Sequence, residues 1–283
     1  MGAELALGVA ALGDIPDEDE AVATVLAAHR AGITRVDTSP WYGRGAAERR
    51  LGRAVAALPP GSLTISTKVG YVIERARREQ DFSAAAVERS LAASMDRLGV
   101  DSLDTVLIHD PEDHMAAALE QAYPRLHQLR TAGVVRAIGA GMNQTAGLIR
   151  FVRETDIDVV LVAGRWTLLD RGAGEALLPE CRARGVRAMA GGVFNTGVLV
   201  SPEPGARYDY APAAPAVLER ARSLRETCRA YGVPLAAAAL QFPARDPAVG
   251  AVLLGPADRQ QLAQNIEWWR HPVPAALWSE LEA

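Results

Sequence analysis

The sequence predicts an α/β protein, a single (β/α)8 (TIM) barrel with its active site at the C-terminal ends of the strands. Eight short apolar segments alternate with longer amphipathic segments, which is the pattern of repeated βαβ units. The composition does not shift along the chain, and a length of 283 residues lies within the range of barrels that form one domain. We therefore expect one domain over residues 1–283.

The predicted strands are short and apolar, and each is followed by a helical pattern. The strands are expected near Leu5–Ala10, Thr34–Asp37, Leu63–Lys68, Thr105–His109, Ala137–Ala140, Val159–Ala163, Arg187–Ala190 and Gly250–Leu254. The helices are expected near Asp17–Ala31, Ala46–Ala57, Ser83–Leu98, Met115–Thr131, Thr145–Glu154, Gly174–Arg184, Pro215–Tyr231 and Arg259–Ile266. In a parallel barrel all strand C-termini open onto one face, where such barrels carry their chemistry.

Several predicted helix ends carry residues that favour a start or a stop. Asp17 followed by Glu20 is typical of a capping box, in which two side chains bind free N–H groups at the start of a helix. Glycines follow the helical segments where a left-handed residue ends a helix, and these are Gly32, Gly99, Gly133, Gly185 and Gly232. Residues 202–215 form a long irregular stretch, and a loop of that size in a compact domain is usually functional or mobile.

Charge and composition exclude several classes of partner. A net charge of −4 gives no electrostatic basis for binding nucleic acid or an anionic membrane. No apolar stretch approaches the roughly 18 residues of a membrane span, and the N-terminus lacks the basic region of a secretory signal. Cys181 and Cys228 fit no metal-ligand spacing. We expect a cytoplasmic protein, a monomer or small homo-oligomer, that acts on a small molecule.

Four residues with acid–base chemistry lie at or just beyond predicted strand ends. Asp37 and Tyr42 occur in VDTSPWYG, Lys68 in ISTKVG and His109 in VLIHDP. An ammonium near a phenol favours the phenolate and lowers the phenol pKa, and a carboxylate beside the ammonium keeps it charged. An imidazole at the same centre orients a substrate oxygen or relays a proton. Together the four residues indicate a proton-transfer site built around the phenol.

Each of the four residues also has a structural interpretation. Asp37, before Thr-Ser-Pro, is placed to cap a turn, Tyr42 to line a wall with its hydroxyl satisfied, and His109 to lie in a turn. Lys68 differs, because a lysine that ends a buried strand is paired or functional. Since four such coincidences would have to occur at successive strand ends, the joint functional interpretation is preferred.

The segment HDPEDH, residues 109–114, raises the alternative of a metal site. Closely spaced acids in a turn are more often solvated, and the sequence contains no second cluster of ligands. The sequence therefore predicts no metal site.

These motifs resemble those of the aldo-keto reductase family, and the resemblance covers nearly the whole chain. It implies an NAD(P)-dependent oxidoreductase that transfers hydride to and from nicotinamide without a Rossmann domain. It assigns Tyr42 as the acid/base, Lys68 as its activator, Asp37 as the partner of the lysine and His109 as the orienting group. In keeping with this, no GxGxxG motif follows the first strand.

The resemblance places the cofactor along the loops after the seventh and eighth strands. The pyrophosphate is expected along residues 191–199, where glycine backbone can approach a phosphate closely. The adenosine is expected along residues 254–258 and the following helix. The residues implied to bind the cofactor are Asn143, Gly192, Phe194, Asn195, Gly197, Gly255, Gln261 and Asn265.

One departure from the family pattern concerns the choice between NAD and NADP. Where many members have a serine and a basic residue for the 2′-phosphate, this chain has Pro256 and Gln261. A phosphate monoester usually requires Arg or Lys. Arg259 is a candidate for this role, but the carboxylate of the adjacent Asp258 works against a phosphate there. NAD is therefore preferred as the cofactor, and NADP stays open.

Two further departures concern the nicotinamide. The Ser-Asn pair usual at the fifth strand is replaced by Gly141-Met142, so Asn143 is expected to take over that contact. The stacking tyrosine usual at the seventh strand is replaced by Gly191, which leaves Trp166 and Phe194 as alternatives for supporting the ring.

The motifs are most similar to the sugar-oxidising branch of the family, the fucose, galactose and threo-aldose 1-dehydrogenases. This similarity implies oxidation of the anomeric carbon of an aldose to a lactone, with Trp41, Tyr71 and Trp166 as candidate pocket walls. Two alternatives stay open. One is a reductase of an aldehyde or ketone, and the other is a cofactor-binding regulatory subunit without turnover.

Overall fold

Eight parallel strands close into a barrel in the computed structural model, which describes residues 2–73 and 79–282. The barrel strands, numbered β1–β8 here, are Glu4–Gly8, Arg35–Asp37, Thr64–Val69, Leu103–His109, Val135–Met142, Val159–Ala163, Arg187–Gly191 and Val249–Leu254. Each strand pairs in parallel with its neighbours in the chain, and β1 pairs with β8 to close the barrel. The predicted fold class is confirmed, and every predicted strand corresponds to an observed one.

The helices surround the barrel and connect its strands. Those of five residues or more are Ala10–Asp14, Glu18–Arg30, Ala46–Ala56, Ala84–Leu98, Tyr123–Thr131, Thr145–Glu154, Leu177–Arg184, Pro215–Ala230, Leu235–Gln241, Arg259–Arg270 and Ala275–Glu282. The helix predicted near Met115–Thr131 contains a π-helical stretch, Ala118–Ala122, and the one predicted near Gly174–Arg184 is interrupted at Ala176. Three of these helices, Ala10–Asp14, Leu235–Gln241 and Ala275–Glu282, were not predicted.

Alternation along the strands divides the core between two layers. Successive side chains of a strand point to opposite faces, so Val106 and Ile108 pack in the larger core with the helices. Leu107 packs instead in a small cluster with residues of β1, β6, β7 and β8. His109 follows Leu107 by two residues and therefore shares its face, at the C-terminal end of β4.

The first long helix begins as predicted, but its capping box is incomplete. A carboxylate oxygen of Asp17 accepts hydrogen bonds from the N–H groups of Asp19 and Glu20. The carboxylate of Glu20 binds Arg259 rather than returning to Asp17. The reciprocal half of the capping box was therefore predicted wrongly, because a cation distant in sequence takes the glutamate.

Residues Arg207–Tyr208 and Ala211–Pro212 pair as a short antiparallel hairpin in the long loop after β7. Its turn residues Asp209 and Tyr210 have φ angles of 48° and 63°, the backbone of a tight two-residue turn. Arg165, after β6, fixes the turn through an ion pair of 2.8 Å to Asp209. Within residues 2–73 and 79–282, no helix is long and apolar enough to cross a membrane.

Candidate active site

A cavity of about 1180 Å³ opens at the C-terminal ends of the barrel strands. Of the predicted site residues, it brings together Tyr42, Lys68, His109, Trp41, Tyr71 and Asn143 in its lining. Asp37 is buried at the end of β2, in contact with Lys68. The four candidate catalytic residues thus meet at one place. Asp37 and His109 come from the ends of β2 and β4, Lys68 from inside β3, and Tyr42 from the loop after β2.

Lys68 and Asp37 form a buried ion pair at the base of the site. Lys68 Nζ donates to Asp37 Oδ2 at 2.6 Å and to the carbonyl oxygen of Thr38 at 2.8 Å. The second oxygen of Asp37 accepts the hydroxyl of Ser66 at 2.8 Å, because β2 and β3 pair with Asp37 opposite Ser66. Burial acts to lower the pKa of Lys68, but Asp37 and Tyr42 outweigh it and the pKa of Lys68 is raised. The lysine is therefore held as an ammonium.

Tyr42 lies in the loop after β2, with its ring 4.8 Å from Lys68 Nζ. Burial raises the pKa of the Tyr42 hydroxyl, and the nearby ammonium offsets only part of that effect. Sequence reasoning considered the ammonium alone and expected a lowered phenol pKa. The structure corrects the net direction, because desolvation of the phenolate is the larger effect.

The backbone around Tyr42 is fixed by two glycines in close contact. Gly43 has a φ of 55°, and a β-carbon at this position would lie 2.2 Å from the carbonyl oxygen of Gly13. Gly13 belongs to the short helix Ala10–Asp14, whose Leu12 carbonyl oxygen accepts a hydrogen bond from the buried Arg50. The unpredicted helix Ala10–Asp14 therefore holds the loop that carries the phenol.

His109 is the last residue of β4 and is 7% exposed. Its ring meets the rings of Tyr71 and Tyr42 edge to face, with centroids 5.0 and 5.9 Å apart. Ser39 Oγ lies 3.2 Å from His109 Nδ1. Sequence reasoning missed Ser39, although it stands two residues after Asp37 in the same motif.

The aromatic residues predicted as pocket walls separate into two groups. Trp41 and Tyr71 both line the cavity, with ring centroids 5.0 Å apart. Trp166 does not line it: Trp166 Nε1 donates to the carbonyl oxygen of Pro243, and its ring packs on Phe242. The cavity lining also includes Arg165 and Tyr210.

The first part of the loop after β7, residues 192–199, is not in the cavity lining, whereas Asp209 and Tyr210 of its hairpin are. Gly192, Asn195 and Gly197 have positive φ angles of 61°, 46° and 99°, and Phe194 packs edge to face on Trp268. Asn195 is buried, and its Nδ2 donates to the carbonyl oxygen of Gly164. Its Oδ1 has no hydrogen-bond partner among the described residues. Backbone that turns through left-handed residues can present N–H groups to an anion, but the N–H groups of Asn195, Gly197 and Leu199 donate to carbonyl oxygens within this loop.

The segment after β8 also lies outside the cavity lining. Apart from Gly255 itself and its two chain neighbours, no described residue has an atom within 4 Å of the position that a β-carbon on Gly255 would take. Gln261 uses its side-chain oxygen to accept the N–H of Ala257 at 3.0 Å. Asn265 is buried on the following helix at 6% exposure. The residues predicted to contact the cofactor therefore lie in the cavity lining, in the loop after β7, and in the segment after β8 together with the helix Arg259–Arg270.

Arg259, at the start of the same helix, is bound by Glu20. Arg259 Nη2 and Nε lie 2.9 and 3.1 Å from the two carboxylate oxygens of Glu20, and the Arg259 N–H also donates to Glu20. These hydrogen bonds lower the pKa of Glu20 and raise that of Arg259. Asp258 caps the helix by accepting the N–H of Gln261 at 2.7 Å. Arg259, the one cation among the residues considered for a 2′-phosphate, is therefore neutralised by the carboxylate of Glu20.

No group of three or more His, Cys, Asp or Glu side chains in the described part of the chain could hold a metal ion. The segment HDPEDH thus forms no such group there.

Comparison with known protein families shows which family this chain belongs to. The Aldo/keto reductase family matches residues 4–283. The chain belongs to the aldo/keto reductase family. As a member, it is an oxidoreductase, and the family uses nicotinamide cofactors.

Several characterised relatives are similar over most of their length. D-threo-aldose 1-dehydrogenase of Pseudomonas sp. is 38% identical, with 98% of this chain and 92% of the relative covered. Pyridoxal 4-dehydrogenase of Microbacterium luteolum is 33% identical, with 99% and 93% covered. L-galactose dehydrogenase of Arabidopsis thaliana is 30% identical, with 88% and 77% covered.

Solved structures support the fold. An aldo-keto reductase from Bacillus halodurans in its holo form has a TM-score of 0.82 at 22% identity, over 99% of this chain and 91% of that one. A glycerol dehydrogenase from Gluconobacter oxydans has a TM-score of 0.81 at 22% identity, over 98% and 90%.

Proposed function

We propose that this oxidoreductase oxidises the anomeric carbon of an aldose to a lactone, with NAD as its cofactor. The observation that carries the proposal is the buried pair of Lys68 and Asp37 beside Tyr42, in a cavity that His109 also lines. The similarity to D-threo-aldose 1-dehydrogenase, at 38% identity over nearly the whole chain, supports an aldose as the substrate. We propose Tyr42, Lys68, Asp37 and His109 as the catalytic residues.

Tyr42 is the acid/base in this mechanism. In the oxidising direction its phenolate takes the proton of the anomeric hydroxyl as the carbonyl forms at C1. When bound, the nicotinamide supplies the acceptor for the hydride that leaves C1. In the reducing direction the Tyr42 phenol gives its proton to the carbonyl oxygen. Proton transfer by a positioned side chain contributes roughly a hundredfold or more to the rate.

Lys68 and Asp37 set the charge around that proton transfer. The ammonium of Lys68 attracts the phenolate of Tyr42 and so stabilises the form that acts as base. Asp37 keeps the ammonium charged and fixes its position, together with the Thr38 carbonyl oxygen. His109 lines the same cavity and orients the substrate oxygen by a hydrogen bond.

Aromatic side chains suit an aldose at this site. Trp41 and Tyr71 both line the cavity, as do Asp209 and Tyr210 of the hairpin turn, and aromatic rings suit the C–H side of a sugar ring. Tyr210 is 70% exposed, so a ligand that covers it gains apolar contact area.

The cofactor residues we propose are Asn143 in the cavity wall, Gly192, Phe194, Asn195 and Gly197 in the loop after β7, and Gly255, Gln261 and Asn265 after β8. Three features support NAD over NADP. Arg259 is bound by Glu20, Asp258 stands beside it as the helix cap, and Gln261 is uncharged. A 2′-phosphate at this corner would meet the carboxylates of Glu20 and Asp258, and Arg259 is already bound by Glu20.

Reduction of an aldehyde or ketone is the second candidate reaction. The raised pKa of Tyr42 keeps the phenol protonated at neutral pH, which is the form that reduction needs. The family match over residues 4–283 supports one barrel domain for the whole chain. The two unpaired, buried cysteines support a reducing compartment such as the cytoplasm.

The deciding experiment follows reduced-nicotinamide absorbance with purified protein, NAD or NADP, and L-fucose, L-galactose, D-galactose, D-arabinose or pyridoxal. We expect a rise with NAD and at least one sugar, and trapping of the lactone product with hydroxylamine. Turnover of pyridoxal alone would replace the aldose as substrate. No rise with any of these, together with oxidation of reduced cofactor by simple aldehydes, would establish the reductase instead. Tight cofactor binding without any turnover would favour a regulatory role.

A further inference from the structure

Ser39 lies between the loop that carries Tyr42 and the end of β4. Its side chain is fully buried, at 0% exposure. Ser39 Oγ accepts a hydrogen bond from the N–H of Trp41 at 3.1 Å and lies 3.2 Å from His109 Nδ1. The hydroxyl therefore contacts one ring nitrogen of the imidazole from the side away from water.

The hydrogen-bond capacity of a serine determines the direction of this contact. A hydroxyl has one O–H donor and two lone pairs, and Trp41 occupies one lone pair. In the part of the chain that the structure describes, the acceptor within hydrogen-bond distance of the Ser39 O–H is His109 Nδ1. If Nδ1 carried the proton, the Ser39 O–H would be buried without an acceptor. An unsatisfied buried donor is costly, so Ser39 donates and Nδ1 accepts.

We infer that Ser39 is a positioning residue that holds His109 in one neutral tautomer, with the proton on Nε2. In a neutral imidazole one nitrogen donates and the other accepts, and the partner of one nitrogen fixes the role of the other. Since Nδ1 faces Ser39, Nε2 is the nitrogen on the opposite edge of a ring that lines the cavity. Ser39 thus makes Nε2–H available as a donor to a substrate oxygen. This role in turnover rests on the proposed function, whereas the tautomer itself does not.

The charged and titratable groups around His109 agree with this assignment. Asp110 Oδ2 lies 3.7 Å from His109 Nε2, so its carboxylate favours a proton on that nitrogen. Tyr42 and Tyr71 meet the ring edge to face. A doubly protonated ring would place a proton on Nδ1 against the Ser39 hydroxyl and leave that hydroxyl without an acceptor. Ser39 and Asp110 therefore both favour a proton on Nε2 rather than on Nδ1, from opposite edges of the ring.

Nitrogen NMR of the imidazoles tests the tautomer without any substrate. The chain has five histidines, and the signals of His109 are those lost in His109→Asn. In the unaltered protein we expect Nδ1 in the unprotonated range and Nε2 in the protonated range at neutral pH. In Ser39→Ala we expect the two shifts to move towards an average of both tautomers. A protonated Nδ1 in the unaltered protein, or unchanged shifts in Ser39→Ala, would overturn the inference.

A matched control separates this effect from the loss of any buried hydroxyl. Ser94 is also fully buried, and its Oγ accepts a hydrogen bond from Arg97 at 3.2 Å. Ser94→Ala should leave the His109 shifts unchanged. Ser39→Cys retains a weak donor and should give shifts between those of the unaltered protein and of Ser39→Ala. If Ser39→Ala proves too unstable to study, the cysteine variant provides the same comparison.

Kinetics tests what the tautomer does. We expect Ser39→Ala to lower kcat/KM by about three- to tenfold, the worth of one hydrogen bond, with partial recovery in Ser39→Cys. Displacement of Trp41 alone would lower kcat/KM without changing the His109 shifts, and that result would reduce Ser39 to a structural role. If no sugar is oxidised at all, the proposed substrate fails, while the NMR result still decides the tautomer.

Discussion

Lys68 and Asp37 form an ion pair of 2.6 Å between Nζ and Oδ2, and their side chains are 2% and 4% exposed. Removing one partner of such a pair leaves a charge buried without compensation, whereas removing both can be nearly neutral. Single and double substitutions of the pair should therefore differ in stability, although both remove groups proposed for catalysis. Comparing them separates the contribution of the pair to stability from its contribution to catalysis.

Asp37→Asn should lower the free energy of unfolding by about 3–5 kcal/mol, because Lys68 loses its carboxylate. Adding Lys68→Met should restore most of that stability but none of the activity. Urea unfolding followed by circular dichroism, with turnover assayed on the same samples, makes the comparison. Equal stability of the single and double variants would show that the pair is not held as described.

The same pair predicts a pH dependence of stability. The pKa of Lys68 is raised in the folded protein, so the folded state binds the proton more tightly than the unfolded state does. The stabilisation is fully present below the ordinary lysine pKa of about 10.4 and declines as pH rises through the raised value. Stability should thus fall on the alkaline side, and it should fall less in Asp37→Asn/Lys68→Met.

Tyr42→Phe should abolish turnover while cofactor affinity stays almost unchanged, because the change removes the proton but not the ring. A loss of roughly a hundredfold or more is expected for an acid/base residue. Tyr71→Phe is the matched control, since this ring lines the same cavity but is not assigned the proton. Full activity in Tyr42→Phe would require a different acid/base.

The raised pKa of Tyr42 predicts opposite pH profiles for the two reaction directions. Burial disfavours the phenolate and Lys68 offsets only part of this, so the phenol is protonated at neutral pH. Initial rates of sugar oxidation should rise with pH in proportion to the phenolate fraction, and carbonyl reduction should fall over the same alkaline range. A sugar oxidation rate that is flat from neutral to alkaline pH would contradict the assignment.

The sequence was sufficient to predict the barrel because its strands are short apolar segments, and after each one the pattern of apolar residues changes to the period of a helix. It was insufficient for three helices, Ala10–Asp14, Leu235–Gln241 and Ala275–Glu282. Ala10–Asp14 has only five residues, and Leu235–Gln241 is buried on nearly all sides, so neither shows a helical period of polar and apolar residues.

The same distinction applies within the candidate site. Strands are readable from a sequence, so the positions of Asp37 and His109 at strand ends, and of Lys68 next to the end of β3, were predictable. Trp166 was not, because the direction of its side chain depends on the Pro243 carbonyl oxygen, 77 residues later in the chain. The net pKa direction of Tyr42 was also out of reach, since burial depends on the whole fold.

Gly43→Ala should lower both stability and activity, because the β-carbon would collide with the backbone of Gly13 and move Tyr42. Gly99→Ala is the matched control: its φ is 68°, but no described residue other than its neighbours along the chain has an atom within 4 Å of the added β-carbon. That control should cost about 1–2 kcal/mol of stability from backbone strain alone, with kcat/KM unchanged. Equal activity losses in the two variants would exclude a specific role for the contact between Gly13 and Gly43.

Glu20→Ala should shift cofactor preference towards NADP. The change releases Arg259 from the carboxylate that binds it, and a charge-assisted hydrogen bond to a phosphate then becomes available. We expect the ratio of kcat/KM for NADP to that for NAD to rise by about tenfold, in line with the worth of a hydrogen bond to a charged group. Glu18→Ala is the control, because Glu18 lies in the same helical turn but contacts Arg50 and Arg53 instead. The gain should disappear in Glu20→Ala/Arg259→Ala, and a ratio that stays constant in Glu20→Ala would place the 2′-phosphate elsewhere.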